Sequence, residues 1–444
     1  MTSGPGNVLL LSCYELGRRP LGLAVPLAFL KRSGFSARGI DLVVEPLDEA
    51  AVRGADFVGI SVPMHTALRI ALQLLPRIRA LNPSCHICLY GLYATLNAEL
   101  LLARGADSVL SGECEEALVE RVVSSEPRER QPRPFRVRLD FPVPERAQLP
   151  ALERYVHLDR GDGVHVLVEA IETTRGCLHL CRHCPIPPIY EGRFFVVPRE
   201  TVLADIRQAV REGAHHVDFV DPDFLNGPGH ALAIVRAMHR EFPELTFDFT
   251  AKVEHLLRHR GILKELADSG CLFIVTAVES LSDRVLEELD KGHSQADVLE
   301  VLDATRRAGI GFRPTFVPFT PWTTLGDHRA LLRWIAQERL VDDVEPVQLA
   351  LRLLVPPGSL LLGRPALSPH LRSLDPGALT YRWDHPDPEM DSLQRASQKL
   401  VENAMVEGWS HRQTLAGLAE LAGAKLPDLG APKPTPRLTE AWFC

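Results

Sequence analysis

No run in the 444 residues approaches the roughly 18 consecutive apolar residues that a membrane span needs. The opening stretch, MTSGPGNVLLLS, lacks the basic start, long apolar core and cleavage site of a secretory leader. The expected location is therefore the cytoplasm, with no membrane partner. Positive charge is also short: 49 lysines and arginines face 57 acidic residues, for a net charge of -8, and no basic run offers a stripe for phosphates. Nucleic acid is thus not an expected partner. Nine cysteines are too few for a disulfide framework in a chain of this length, and clustered cysteines in a reducing compartment more often bind metal or do redox chemistry. Apolar residues are not scarce. They make up 45% of the chain, enough to build cores for two or three domains.

The order of apolar runs gives an α/β fold. In residues 7–124 the runs NVLLLS, DLVV, DFVGIS, HICLYG and DSVLSG alternate with helical patterns such as ALRIALQLLPRIRAL, which predicts five parallel strands with crossover helices. Ligands bind such sheets at the carboxyl ends of the strands, here the loops beginning at Ser61, Gly91 and Gly112. Residues 126–160, rich in Pro and Arg, read as a linker. A second series follows, with strands expected near 165–172, 215–221, 246–252, 271–278, 311–318 and 345–353. Six strands with right-handed crossovers give a partial TIM-type (β/α) barrel. The expected division is a Rossmann-like unit over 1–125, the barrel over 161–365, and a small, mostly helical extension over 366–444 that ends in a Pro-spaced tail.

The barrel's first strand runs into TTRGCLHLCRHCPIP, which packs Cys177, Cys181 and Cys184 into eight positions at a carboxyl end. Four thiolates close a zinc site or fill every corner of a 4Fe–4S cluster; three leave one metal position open for a ligand. No fourth cysteine lies near, and the next, Cys271, falls on a predicted strand. A zinc site completed by His179 or His183 is the competing reading.

Cys-x3-Cys-x2-Cys after the first strand of such a barrel resembles the radical S-adenosylmethionine (SAM) enzymes. The resemblance implies that Cys177, Cys181 and Cys184 hold a 4Fe–4S cluster whose fourth iron is chelated by SAM. One electron then splits the sulfonium to give a 5′-deoxyadenosyl radical. It also implies a reducing partner such as flavodoxin or ferredoxin. Other stretches match in order. His183 stands where the family usually has an aromatic residue near the adenine. VDFVDPDFLNGP resembles the turn that binds the methionyl amino group, which points to Asp221 or Asp223, although Asp223 and Asn226 equally suit turn-shaping. TAVESLSDRVLEELDKGHS is similar to the segment that contacts the cofactor through a Glu-Ser pair, here Glu279 and Ser280, with Lys291 and His293 closing the motif; Ser280 could also cap a helix. RPTFVPFTPWTT follows the fifth strand, where the family's polar side chains reach the ribose or carboxylate of SAM, and Arg313 is the candidate there.

The N-terminal unit resembles the cobalamin-binding domain fused to one large class of radical SAM enzymes. That likeness assigns Ser61 and Thr66 to the nucleotide tail of cobalamin, and Gly91, Thr95, Gly112 and Glu113 to the edge of its ring. Asp-x-His-x-x-Gly is missing, so no histidine is marked to ligate cobalt from below. The alternative is a Rossmann-like domain kept for packing. Cys85 and Cys88 sit on a predicted strand, where alternation sends them to opposite faces, and read as core. His65 reads as incidental, and YRWDHPDPEMD (381–391) as either a cover for the barrel mouth or a packed turn.

The ending TEAWFC resembles a family of cobalamin-domain radical SAM proteins that finish in Cys-Cys-Ala-Glu-Pro or Cys-selenocysteine-Ala-Glu-Pro. On that likeness Cys444 would precede a UGA codon read as selenocysteine; an ordinary terminus is the other possibility. The expected activity is radical modification of an unactivated bond, with cobalamin-dependent methylation as its leading form. A non-catalytic metal- or cofactor-binding sensor is the alternative. Whether the substrate is a small molecule or a peptide is not encoded in any recognisable motif.

Overall fold

The computed structural model describes residues 6–124, 134–161, 163–433 and 435–440. Five strands open the chain: β1 (Val8–Ser12), β2 (Ala37–Asp41), β3 (Phe57–Ser61), β4 (His86–Tyr90) and β5 (Ser108–Leu110). They form one parallel sheet in the order β2-β1-β3-β4-β5. Strand alternation sorts the side chains into two cores. Leu9, Leu11, Val58, Ile60, Ile87 and Leu89 pack on one face, and Val8, Leu10, Phe57, Cys88 and Tyr90 on the other. Cys85 and Cys88 fall in different cores, as alternation requires. The second strand begins earlier than DLVV suggested, because Asp41 accepts from the Val43 amide and turns the chain there. Strand order reverses between β1 and β3, so a crevice opens at their carboxyl ends.

The next strands are β6 (His157–Asp159), β7 (His165–Ile171), β8 (Thr174–Gly176), β9 (Phe194–Val196), β10 (His216–Phe219), β11 (Thr246–Thr250), β12 (Cys271–Glu279), β13 (Gly311–Phe316), β14 (Leu371–Asp375), β15 (Thr380–Trp383) and β16 (Arg437–Leu438). A curled sheet takes the order β13-β12-β11-β10-β7-β6-β16. Its five central members, β7 and β10 to β13, are parallel, while β6 and β16 add antiparallel at one edge. Alternation again sets the faces. Phe219, Phe247 and Phe249 enter the core under the outer helices, and the opposite parity puts His216, Asp218, Asp248 and Arg313 on the inner face.

The expected sixth barrel strand does not form. Pro346–Ala350 is a 3-10 helix, joined to the barrel by one parallel bridge between Phe319 and Arg352. Gln348 explains the change: its side-chain oxygen accepts from the Phe316 amide at 3.2 Å, in place of the carbonyl of a sixth strand. The linker is a packed strap that buries Leu139, Phe141, Leu149 and Leu152, and its Arg146 is enclosed by Asp205 and Glu169. The extension contributes helices Pro388–Glu407 and His411–Ala422, as expected, and two features that were not: the β14/β15 hairpin and β16, which lays the tail along β6. YRWDHPDPEMD thus supplies β15 and the start of a helix. Cys444 lies outside the described residues.

Candidate functional site

The cysteine loop hangs from a two-stranded ribbon of β8 and β9 just beyond the carboxyl end of β7. Gly176, immediately before Cys177, has φ +79°, and a Cβ there would lie 2.4 Å from the Arg193 carbonyl, so only glycine fits. Several elements hold the loop. The Cys177 amide donates to Arg193 O at 3.1 Å, the Leu178 amide to Asn226 Oδ1 at 3.1 Å, and the Arg182 amide to Leu289 O at 2.9 Å. Asn226 therefore shapes the loop as well as its own turn. Cys177 and Cys181 are buried and Cys184 half-buried, all as free thiols. Burial, with Asp223 and Cys181 adding to it, pushes the Cys177 thiol up to about 11; burial with the neighbouring Cys181 and Cys177 pushes Cys184 up to about 12.

Two segments from the motif analysis meet at this loop. His183 Nε2 lies 3.2 Å from Glu279 Oε1, and Lys291 Nζ lies 3.4 Å from the same oxygen. Burial would raise the Glu279 carboxyl, but Lys291 and the His183 contact outweigh it and hold the group at about 2. Glu279 also has φ +66° at a register break between β12 and β13, a strained backbone that aims its side chain at the loop. Ser280 Oγ accepts from the Ser282 amide, and Ser282 rather than Ser280 caps the helix Asp283–Leu289. His293, buried, faces Val278 O at 3.3 Å.

The two aspartates are engaged within the protein. Asp221 accepts from the Thr173 amide and from the hydroxyls of Thr173 and Thr174, so it fixes the approach to the cysteines; burial pushes it up to about 7. Asp223 accepts from the amides of Leu225 and Lys252 and lies against His255. Arg313 is a correction to the sequence reading. It is committed to Glu345 at 2.9 Å and to the Pro436 carbonyl of the tail, three residues short of the carboxyl end of β13, and does not join the cysteine site.

A cavity of about 400 Å³ lies where the carboxyl ends of the two sheets face each other. Ser61, Gly91 and Gly112 line it from the first sheet, and Glu172, Gly176, Val220 and Thr250 from the second. Thr66 and Thr95 are not among its lining residues, and Thr95 Oγ1 donates to the Gly91 carbonyl. The glycines answer to protein rather than ligand: a Cβ at Gly91 (φ +110°) would come 2.8 Å from Val62 O, and one at Gly112 (φ +72°) 2.3 Å from Phe135 O. Glu113 turns toward the barrel, where Tyr190 Oη donates to it at 2.8 Å. Arg175 reaches Glu113, Glu115 and Glu172, so the turn after β5 grips residues on both sides of the cysteine loop. Glu15, in the cavity, accepts from the Gly22 amide, and burial raises its carboxyl to about 8.

Residues 171–334 match the Radical SAM superfamily, and residues 8–122 match the B12 binding domain. The chain is a radical SAM protein with a B12-binding domain. An uncharacterised methyltransferase of Pyrococcus horikoshii is 23% identical over 343 residues, 71% of this chain and 72% of its own. The ribosomal protein uS12 methylthiotransferase RimO of Geobacter sulfurreducens is 23% identical over 177 residues, and the chain spans only 39% of its length. Among solved structures, the cobalamin-dependent SAM radical enzyme OxsB superposes with a TM-score of 0.71 at 15% identity, covering 90% of this chain and 67% of that one. The radical SAM methyltransferase TsrM of Kitasatospora setae, with cobalamin and a 4Fe–4S cluster bound, gives 0.60 at 16% identity over 75% of this chain and 70% of its own. At these identities the structural likeness establishes the fold alone.

The two domains of a radical SAM protein of this kind imply a 4Fe–4S cluster, SAM and cobalamin, and the residues present fit the first two in detail. Three thiolates in one loop, each able to take its own iron, suit a cluster with one corner left open for a ligand. Around the loop, Lys252 Nζ, His183 Nδ1 and His293 Nδ1 are buried without a hydrogen-bond partner. Lys252 escaped the sequence reading. It follows β11, is 6% exposed, and its nearest carboxylate is Glu254 at 3.7 Å. A buried ammonium without a hydrogen-bond acceptor is costly, so this position suits an anionic ligand. For cobalamin the fit is one of place and donor chemistry: the cavity stands at the strand-order reversal and offers the polar groups of Glu15, Ser61 and Tyr90, with no histidine in its lining. Among the described residues no helix is long and apolar enough to cross a membrane.

Proposed function

We propose that this radical SAM enzyme methylates an unactivated position of its substrate in a cobalamin-dependent reaction. What supports this most is the cavity shared by the two sheet ends, with the B12-binding unit on one side and the approach to the cysteine loop on the other. When bound, the cluster supplies an electron to the sulfonium of SAM and the corrin supplies a transferable methyl group. On this reading Cys177, Cys181 and Cys184 hold the cluster, and the ribbon carrying Gly176 sets their spread. Lys252 receives the carboxylate of SAM, whereas Asp223, already satisfied, orders the turn beneath it. Glu279, kept ionised by Lys291, holds His183 over the loop where the adenine would lie. Glu113 and Arg175 orient the N-terminal unit, residues 1–125, against the barrel, and Ser61 and Glu15 offer hydrogen bonds to the amide rim of a corrin. The reductant is a small one-electron carrier such as flavodoxin or ferredoxin, which places the chain in the cytoplasm.

The test is anaerobic purification with iron–sulfur and cobalamin reconstitution, then reduction with SAM carrying a labelled methyl group, with Cys181→Ala alongside. The expected result is 5′-deoxyadenosine in the parent only, with retained corrin that acquires the label. A colourless protein that binds zinc, retains no corrin and leaves SAM intact would replace the enzyme with a sensor.

A further inference from the structure

Beyond the cluster and corrin sites, His179, Asp223 and His255 each offer a ligand-type atom within 4.8 Å of the others. His179 stands in the cysteine loop, Asp223 in the turn after β10, and His255 on the helix Val253–Arg258 after β11. The two histidine rings are arranged alike. Their Nε2 atoms face each other at 3.1 Å. Each Nδ1 faces a carboxylate: His255 Nδ1 lies 2.9 Å from Asp223 Oδ2, and His179 Nδ1 lies 3.4 Å from Glu254 Oε2.

A neutral imidazole has one N–H and one lone pair. With a proton on one Nε2 this contact is a hydrogen bond; with the proton on Nδ1 in both rings, beside the carboxylates, two Nε2 lone pairs converge. A cation between them resolves that conflict. Two nitrogens bound to one metal at about 2.0–2.1 Å, with an angle between octahedral and tetrahedral, stand about 2.8–3.4 Å apart, which brackets the observed separation. Metal-bound histidines almost always donate their other N–H to a carboxylate, carbonyl or water, and here each Nδ1 has a carboxylate within 3.4 Å, although His255 Nδ1 is not aligned for a hydrogen bond with Asp223.

We propose that His179 and His255 bind a divalent transition-metal ion through Nε2, oriented by Glu254 and Asp223. Imidazole ligands suit zinc, copper, iron or nickel. The ion staples the cysteine loop to the barrel wall, and it does not depend on the methyltransferase reading.

The test uses the Cys177→Ser, Cys181→Ser, Cys184→Ser triple variant, in which cluster thiolates cannot compete, titrated with zinc against a chromophoric chelator. One zinc per chain is expected. His179→Ala or His255→Ala should weaken it by at least the roughly 10–100-fold that outer-shell changes cost. His259→Ala, whose ring lies 6.1 Å from that of His255, should leave it unchanged. The intact reconstituted protein should carry one zinc beyond its cluster iron. His179 is the more exposed ligand, and its removal leaves the barrel core intact should His255→Ala fail to fold. A parent that retains no zinc, as when a shared proton bridges the rings, overturns the proposal, as does zinc retained equally by His179→Ala.

Discussion

Lys252→Met is expected to have effects of opposite sign on stability and on SAM binding. The substitution keeps the stem and removes the ammonium. Without cofactors that ammonium is buried, has no hydrogen-bond acceptor, and meets only Glu254 at 3.7 Å. Desolvating a charge costs several kcal/mol, which one contact outside hydrogen-bonding distance offsets in part. Its removal should therefore stabilise the cofactor-free chain by about 1 kcal/mol, a rise in Tm of about 1 °C for a protein of this size. Binding of SAM should move the other way. A hydrogen bond between charged groups is worth about 1.5–3 kcal/mol, so SAM affinity should fall roughly 10–150-fold. Scanning calorimetry on the stripped chain and equilibrium dialysis of SAM on the reconstituted one read the two effects separately. A variant that melts earlier without cofactors and binds SAM normally would refute the reasoning, because Lys252 would then be a structural cation.

Three further outcomes follow from particular contacts. Gly176→Ala places a Cβ against the Arg193 carbonyl in a left-handed backbone, and should lower iron retention after reconstitution while the far-ultraviolet circular dichroism stays unchanged. Arg146→Ala strands the buried carboxylate of Asp205 and leaves Glu169 with Arg19 alone, and should cost about 3–5 kcal/mol in denaturant unfolding. Glu15 titrates near 8 when folded and near its ordinary value when unfolded, so the native state binds the extra proton and stability falls as pH rises from about 4.5 to 8. Glu15→Gln, measured by thermal melts across that range, should flatten the loss, by about 1–2 kcal/mol at pH 8 once the partial exposure of the group is allowed for; an unchanged slope would show that the carboxyl stays ionised.

The cysteine loop was legible because its chemistry lies in spacing along eight consecutive positions, and the strand before it could be read from VHVLVEAI. Glu279 and Lys291 were legible for the same reason, being carried on one contiguous stretch. Lys252 was not. In TFDFTAKVEHL nothing separates it from a solvated lysine until the carboxyl end of β11 buries it. Arg313 failed in the other direction: an arginine after a strand fits a carboxylate, and only the folded chain shows that the carboxylates are Glu345 and Asp343, just before the 3-10 helix Pro346–Ala350. The sixth strand was misread because VQLALRLL has the apolar content of a strand, while the choice between strand and 3-10 turn fell to one side chain, Gln348, bonding across to Phe316.

The polar contacts between the two halves explain how two sheets built on separate cores hold one cavity. The turn after β1 sends Arg19 to Glu169 and Glu212, and Arg18 to Asp218 and Glu440, inside the barrel. The turn after β5 sends Glu113 and Glu115 to Tyr190 and Arg175, which flank the cysteine loop. Buried ion pairs add little net stability over apolar packing, since desolvation cancels most of their attraction, yet breaking one strands a charge at a cost of about 3–5 kcal/mol. A sliding apolar interface would tolerate many orientations of the two units. Val25 and Phe29 of the first unit join the barrel's apolar core, and the paired charges beside them penalise orientations other than the one that sets the loops of Ser61 and Gly91 opposite the ribbon that carries Cys177. Geometry at that gap is therefore fixed by ion pairs whose members Arg18, Arg19, Glu115, Arg175 and Asp218 themselves line the cavity, and activity should be more sensitive to them than stability is.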